Sequence, residues 1–278
     1  MARHAYTLGH IEVFEVVGKR DTYHVAIDLN DKTVECDCAC GYFRKSPWRI
    51  RDTRLCRHAK EALLHLFNMN YNYTPGIIDL YHGDPVGPSG FHQMKDAGVL
   101  AVIHKATDGM KYIDSEYDHR ERRARSVGIL WGAYHFMQNG NGVDQCKRFL
   151  DVVQPASDTL LAVDWETPLA GRKPATLAQV NDFARTLIEE CGGGLLYSGW
   201  SFLNDARVTP DMSIAKLHLW GARYAPGFGK VPHGWSDWLV WQNTSSGRVP
   251  GVIGSVDLDL FHGSKEHLLK HWPFRTTT

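Results

Sequence analysis

From residue 76 onward, short apolar runs alternate with longer stretches whose apolar residues fall at helical spacing. The runs are GIIDL, VLAVIHKA, GILWGAYHF, TLLAVDWE, GGLLYSG, LHLWGARY, WLVWQN and SVDLDLF. Residues 89–97, 115–127, 142–152, 176–191 and a shorter stretch near 200–206 can cross over between them as helices. The last connections are short and rich in glycine and proline, with little room for helix. Strands separated by helices, then strands following one another directly, predict an α/β fold. The expected form is an irregular TIM-like (β/α)5(β)3 barrel, closed by mostly parallel strands.

The first 73 residues have a different texture. YHVAIDL alternates like a strand, and TVECDC is its expected hairpin partner across the LNDK turn. A polar loop containing Ser46-Pro47 follows. CRHAKEALLHLF then places Ala59, Ala62, Leu63, Leu66 and Phe67 at helical spacing. NMNYNYTPG reads as a linker or a docking segment. The expected division is a small α+β module over 1–73 and a barrel over 74–278.

The chain has 278 residues, 43% hydrophobic and 22% charged, enough apolar sequence for a sizeable core. Basic and acidic residues balance at 31 each, which removes the general argument for a nucleic-acid or membrane-surface protein. No apolar run reaches membrane-spanning length, so no stable membrane insertion is expected. The N-terminus lacks the continuous apolar stretch of a secretory signal. Synthesis in the cytosol is therefore expected. Local deviations matter more than the sums. Cys36, Cys38, Cys40 and Cys56 cluster, whereas Cys146 and Cys191 stand alone and read as buried inert thiols. Residues 41–60 carry Arg44, Lys45, Arg49, Arg51, Arg54, Arg57 and Lys60 against Asp52 alone.

Polar residues end most of the barrel's apolar runs, where barrel enzymes gather their catalytic groups. Asp79 closes GIID, Lys105 closes VIHK, and Tyr134 and His135 close GAYH. Asp164 and Glu166 close LLAVDWE, Tyr197 closes GGLLY, Trp241 and Gln242 close WLVWQ, and Asp257 follows IGSV. Residues i and i+2 of a strand share a face, about 6–7 Å apart. Asp164 and Glu166 are thus expected to enter one cleft, with Trp165 turned away. Two such carboxylates repel, which raises one pKa and separates their roles. A protonated acid beside an anion is the minimum equipment for cleaving a glycosidic bond. Structural carboxylates are common, and the triplet alone does not decide between chemistry and capping. Tyr134, Tyr197, Trp220, Tyr224 and Trp241 lie at or near strand ends, where rings can stack on sugars or simply fill the barrel.

Residues 76–263 resemble the glycoside hydrolase family 25 lysozymes, muramidases of bacteria and of phage endolysins. GIIDLYH, VIHKATDGMKYID, GILWGAYHF, TLLAVDWE, LLYSG, LWGARY, WLVWQN and VPGVIGSVDLDLFHG occur in family order. The resemblance implies a flattened barrel of eight strands and five helices. It also implies metal-free hydrolysis of the β-1,4 bond between N-acetylmuramic acid and N-acetylglucosamine in bacterial peptidoglycan. On that pattern Glu166 is the general acid/base and Asp164 orients or stabilises the reacting N-acetyl group or ring. Asp79 and Asp257 complete an acidic cleft. Lys105, Tyr134, His135, Tyr197, Trp220, Tyr224, Trp241 and Gln242 are the expected groove residues. An endolysin would wait in the host cytoplasm until lysis. The chain departs from the family's usual KATEG at Asp108 and from its usual VDLN at Asp259. Tyr81 stands where a serine is frequent.

The stretch from Cys38 to His58 resembles a SWIM-type zinc finger, Cys-x-Cys followed by a loop and Cys-x-His. The resemblance implies a structural zinc held by Cys38, Cys40, Cys56 and His58, and Cys36 leaves the register of the first pair open. The basic loop is a candidate contact for anionic wall polymer or nucleic acid. A non-catalytic glycan-binding barrel and a nucleic-acid-binding protein led by the zinc module stand as the alternatives to a muramidase.

Overall fold

The computed structural model describes residues 2–8, 11–17, 22–28, 33–36, 46–47, 56, 58–60, 62, 73–168, 171–225 and 227–275. It divides into two compact units, Met1–Tyr73 with Ala225–Gly227, and Thr74–Tyr224 with Phe228–Thr278.

The first unit is built on an antiparallel sheet in sequential order, β1 (Ala2–Leu8), β2 (Ile11–Val17), β3 (Thr22–Asp28), β4 (Thr33–Cys36) and β5 (Ser46–Pro47). Strands β3 and β4 form the hairpin that the alternating pattern predicts, with Val25 opposite Cys36 and Ile27 opposite Val34. Strands β1 and β2 were not foreseen, although Phe14 and Val16 keep the inward alternation of a half-buried strand. Phe14, Val16, Val25, Ile27, Val34 and Cys36 pack against Ala59 and Ala62 of the predicted helix in a small core. Ser46-Pro47, expected in a loop, instead pairs with Val34 and Thr33. Pro47 ends the sheet, a position that spares its missing N–H a ladder partner. Cys38, Cys40, Leu63, Leu66, Phe67 and most of the basic run 41–60 lie outside the described residues.

The second unit is a closed barrel of eight strands. They run β6 (Tyr73–Leu80), β7 (Ala101–Asp108), β9 (Leu130–Phe136), β10 (Leu160–Asp164), β11 (Leu195–Gly199), β12 (His218–Ala222), β13 (Val240–Gly247) and β14 (Val256–His262), with β14 returning to β6. Pairing is parallel from β6 to β13, and β13–β14 is antiparallel. A short β8 (Tyr112–Ile113) hangs from the end of β7. All eight apolar runs became strands. Tyr73–Gly76, read as linker, opens β6 instead.

Five crossover helices follow the first five barrel strands: α1 (Gly90–Asp96), α2 (Tyr117–Ser126), α3 (Gly142–Val153), α4 (Leu177–Cys191) and α5 (Trp200–Asp205). A final helix, α6 (Lys265–His271), follows β14. Asn141 caps α3, accepting from the Val143 and Asp144 amides, and Thr176 and Gln179 form a capping box on α4. Helices α3 and α4 meet at Gly142, where any Cβ would strike the Gln179 carbonyl. Cys146 is buried in α3 and Cys191 half-buried at the end of α4, with both thiols pushed up chiefly by burial.

The barrel interior is filled by alternate residues of successive strands: Ile77, Ala101 and Ile103, Leu160 and Ala162, Leu195, Val240 and Phe261. Each large side chain buried there contributes about 1.5–3 kcal/mol of transfer free energy. This apolar plug occupies the lower barrel and leaves the C-terminal ends of the parallel strands as the polar mouth. No helix among the described residues is long and apolar enough to cross a membrane.

Candidate active site

The mouth opens on a cavity of about 190 Å³ with four carboxylates in its wall, Asp79, Asp164, Glu166 and Asp257. Strand alternation puts them there. Asp164 is the last residue of β10 and Glu166 lies two residues on, so both face the cavity. Trp165 between them points outward, buried, with its Nε1 donating to the Ala175 carbonyl at 2.9 Å and its ring edge-on to Phe202. Asp164 is 5% exposed, and its Oδ1 is buried without a hydrogen-bond partner among the described residues. Burial and then the neighbouring Glu166 push its carboxyl well above the usual range, with Lys105 opposing. Burial likewise raises Glu166, opposed by Lys105 and assisted by Asp257. The Lys105 ammonium sits over the rings of Phe136 at 4.8 Å, Tyr134 at 5.6 Å and Tyr81 at 5.8 Å. One cation thus faces a pair of acids in a partly dry pocket, where burial and the repulsion of Asp164 by Glu166 favour the protonated form of Asp164 over two charges.

Across the cavity, Asp79 is tied to Gln242. The Gln242 Nε2 donates to Asp79 Oδ2 at 2.8 Å, and its Oε1 accepts from the hydroxyls of Tyr197 at 2.9 Å and Tyr224 at 2.8 Å. Burial, then the charges of Asp259 and Asp257, push the Asp79 carboxyl well up. Asp257 is pushed up to about 6, first by burial and then by Asp84. Trp220 forms part of the floor, with Tyr197 edge-on at 4.7 Å, and its Nε1 donates to Asp259 Oδ1 at 2.7 Å.

Asp79, Lys105, Tyr134, Asp164, Glu166, Tyr197, Trp220 and Asp257 therefore line one cavity. Gln242 and Tyr224 stand behind this wall and position it. His135 and Trp241 do not belong to it, and the sequence expectation is corrected for both. Each is the strand neighbour of an inward residue, Tyr134 or Gln242, and the period of two turns it outward. Trp241 packs with Trp238 and Phe228 and donates to the Arg223 carbonyl at 2.7 Å. His135 is fully buried beneath α3 and α4, stacked on Phe183 and bridging Thr107 Oγ1 at 2.7 Å and Gln145 Oε1 at 3.2 Å.

Replacing His135 by Ala is accordingly expected to destabilise the barrel by about 2–4 kcal/mol, through an unfilled cavity and the hydrogen bonds lost to Thr107 Oγ1 and Gln145 Oε1, the latter keeping the Gln138 amide. The folded enzyme should keep its specific activity. Burial holds the imidazole down at about 4, below its ordinary 6.5. Its contribution is thus complete above about pH 6.5 and fades as pH falls toward 4, so the stability gap between the two proteins should narrow in acid. Denaturant titrations at pH 7 and 4.5 measure this, and loss of activity in the folded variant would return His135 to the groove.

Sequence reasoning passed over Phe136, and used Tyr81 and Asp259 only as departures. A signal existed: Phe136 is two residues beyond Tyr134, and Asp259 two beyond Asp257, on the same strand faces. A second cavity of about 710 Å³ shares Tyr81 and Lys105 with the first and is walled further by Asp108, Tyr112, Gln138 and Arg172. Asp108 accepts from Gln138 Nε2 at 2.8 Å and lies 3.8 Å from Arg172. The two cavities share this wall, an arrangement suited to an extended polymer.

In the first unit, ligand atoms of Cys36, Cys56 and His58 lie within 4.8 Å of one another. The His58 Nδ1 is buried without a hydrogen-bond partner among the described residues, and its ring stacks on Tyr23 at 4.2 Å. The Ala59 amide donates to Cys56 Sγ at 3.3 Å. The sulfurs of Cys36 and Cys56, together with the unpartnered His58 Nδ1, fit a zinc donor set. The described part of the cluster thus brings Cys36 to Cys56 and His58.

Residues 78–252 match the family model of Glycosyl hydrolases family 25. The chain belongs to glycosyl hydrolase family 25. Its relatives include the autolytic lysozyme of Clostridium acetobutylicum, 31% identical over 185 residues, which are 66% of this chain and 55% of that protein. Lysozyme M1 of Streptomyces globisporus is 29% identical over 220 residues, 70% of this chain and 71% of that one. The match thus spans about half the length of the first relative and most of the second. Among solved structures, the bacterial lysozyme from Streptomyces coelicolor superposes with a TM-score of 0.59 at 27% identity, covering 70% of this chain and 95% of its own. The family 25 lysozyme from Aspergillus fumigatus gives 0.61 at 24%, covering 71% and 98%, and supports the barrel fold. The family match leaves residues 1–77 outside its bounds.

Proposed function

We propose that the protein hydrolyses the β-1,4 bond between N-acetylmuramic acid and N-acetylglucosamine of bacterial peptidoglycan, with retention of configuration and assistance by the substrate's N-acetyl group. The observation that carries this reading is the convergence of Asp164 and Glu166 on one cavity, facing Asp79 and Asp257 and flanked by aromatic rings. The buried, unpartnered Oδ1 of Asp164 calls for a donor from the substrate. An acetamido N–H supplies one. That bond stabilises the Asp164 anion and leaves the proton shared by the pair on Glu166. Glu166 then protonates the glycosidic oxygen as its bond to the anomeric carbon breaks. The acetamido carbonyl oxygen closes on that carbon, and water later reopens the ring while Glu166 takes back a proton. Mass analysis of digested peptidoglycan tests the bond: reducing-end muramic acid is expected, and reducing-end glucosamine or freed peptides would overturn it.

In the first unit, the Cys36, Cys56 and His58 cluster supports a structural zinc, whose binding would add folding free energy to a module with a small core. On the full-length protein, a strong chelator is expected to release about one equivalent of zinc and to melt the β1–β5 sheet, seen as lost strand signal. Hydrolysis of soluble glycan should persist. A protein purified without zinc and unchanged by the chelator would exclude this role. The basic run fits the anionic polymers of the wall better than nucleic acid, because wall targeting brings the barrel to its substrate.

A further inference from the structure

The barrel closes between β14 and β6, and the closure brings Asp259 to Asp79. Asp259 is 1% exposed. One of its oxygens is satisfied by the Trp220 indole at 2.7 Å. The other, Oδ2, is buried and meets no donor among the described residues. The Asp79 carboxyl lies within side-chain hydrogen-bonding reach of Asp259. Two carboxylates cannot both accept across such a contact. As two anions in a dry wall they would repel, and Oδ2 would keep the full cost of an unmade bond. A single proton between them removes both penalties.

We propose that Asp259 and Asp79 share one proton, and that Asp259 is thereby a positioning residue that holds Asp79 in the cleft. An asparagine amide donates at any pH, whereas an aspartic acid donates only while protonated. The orientation of Asp79 is therefore conditional on pH.

The surrounding groups favour retention of the proton. Asp257, two residues away on β14, raises both acids, and Asp84 beyond β6 acts on Asp257 in turn. Burial is the largest influence on Asp259 and, with Asp257, pushes its carboxyl up to about 8, against the Trp220 and Asp79 hydrogen bonds. Tyr134 of β9, Tyr197 of β11 and Tyr224 beyond β12 feel the Asp79 charge, and their own hydroxyls are raised, chiefly by burial. Gln242 of β13 is neutral and already committed to Asp79 Oδ2. The Lys105 ammonium acts on Asp164 and Glu166.

Asp259→Asn tests this on the full chain with two readouts. The first is thermal stability and does not depend on what the enzyme cleaves. Carboxyls raised in the fold bind protons that the unfolded chain releases, so their contribution is lost as pH rises through the folded value. The wild type should lose melting temperature between about pH 5 and 8 more steeply than Asp259→Asn, widening the gap by several degrees, with the gap levelling off above pH 8. A gap that stays constant overturns the shared proton. The second readout rests on the muramidase reading above. The ratio of kcat in Asp259→Asn to kcat in wild type cancels the titration of Glu166, which both proteins carry. It should rise about tenfold for each pH unit above 8, while Asp259→Leu, lacking a donor, stays low at every pH. A flat Asn ratio, or wild-type kcat in the Leu variant, overturns the positioning role. Absence of wild-type activity on peptidoglycan at all pH values would overturn the muramidase reading and leave the melting result to judge the proton.

Discussion

Glu166→Gln is expected to lower kcat on peptidoglycan by about 10²–10⁴-fold while leaving the barrel folded. The amide keeps the volume and the hydrogen-bonding outline of the acid but has no proton to deliver to a leaving oxygen. Stability should hold or rise slightly. Burial raises the Glu166 carboxyl, so the wild type gives up stability as pH climbs through that value, and a neutral amide does not. The gain should therefore be larger at pH 8 than at pH 5. Turbidity loss of purified walls, cleavage of soluble glycan and melting temperature at both pH values together measure the effect. Wild-type clearing by the Gln variant would remove Glu166 from the acid role and, with it, the proposed mechanism.

The barrel was legible because its signal is repeated. Eight apolar runs, five helical intervals and a helix-poor end agree with one another, and each became an element in the predicted place. The N-terminal sheet was legible only in part. Phe14 and Val16 are buried but flanked by Glu12, Glu15 and Val17, a mixed texture without a clean alternation. Tyr73–Gly76 misled for another reason. Pro75 and Gly76 punctuate a loop on local grounds, yet the φ of +122° at Gly76 is accommodated within the strand that starts the barrel. Tertiary pairing overrode the local signal.

Most of the site residues named from the sequence line one cavity, and His135 and Trp241 lie away from it. Ending a strand is a property of two adjacent residues, but facing the cavity is a property of alternate ones. His135 and Trp241 were included on the first property and excluded by the second. Phe136 was missed, and Asp259 was noted only as a departure, because the i, i+2 rule was applied to Asp164 and Glu166 and not carried to Tyr134 or Asp257. What no spacing rule supplies is the company each acid keeps. Gln242 joins Asp79 on β6 to Tyr197 on β11 and to Tyr224, and that link exists only once the sheet has closed.

Asp164→Asn should lower kcat by about 10²-fold with a smaller change in KM, for electrostatic reasons more than steric ones. The asparagine carbonyl can still accept the acetamido N–H that Oδ1 awaits, so binding geometry survives. The lost charge no longer strengthens the acetamido oxygen as it attacks, nor faces the developing positive ring. A second consequence has a definite sign. Asp164 and Glu166 repel within one pocket, and repulsion is reciprocal. Removing the Asp164 charge should lower the Glu166 pKa, so that the acid loses its proton earlier and the alkaline limb of kcat/KM moves to lower pH. This shift is opposite in direction to the rising Asp259→Asn ratio, because the two acids belong to different pairs across the cavity. A wild-type kcat in Asp164→Asn would mean that the orphaned oxygen serves only the fold. A reduced kcat with the limb unmoved would mean that Asp164 and Glu166 do not share their proton.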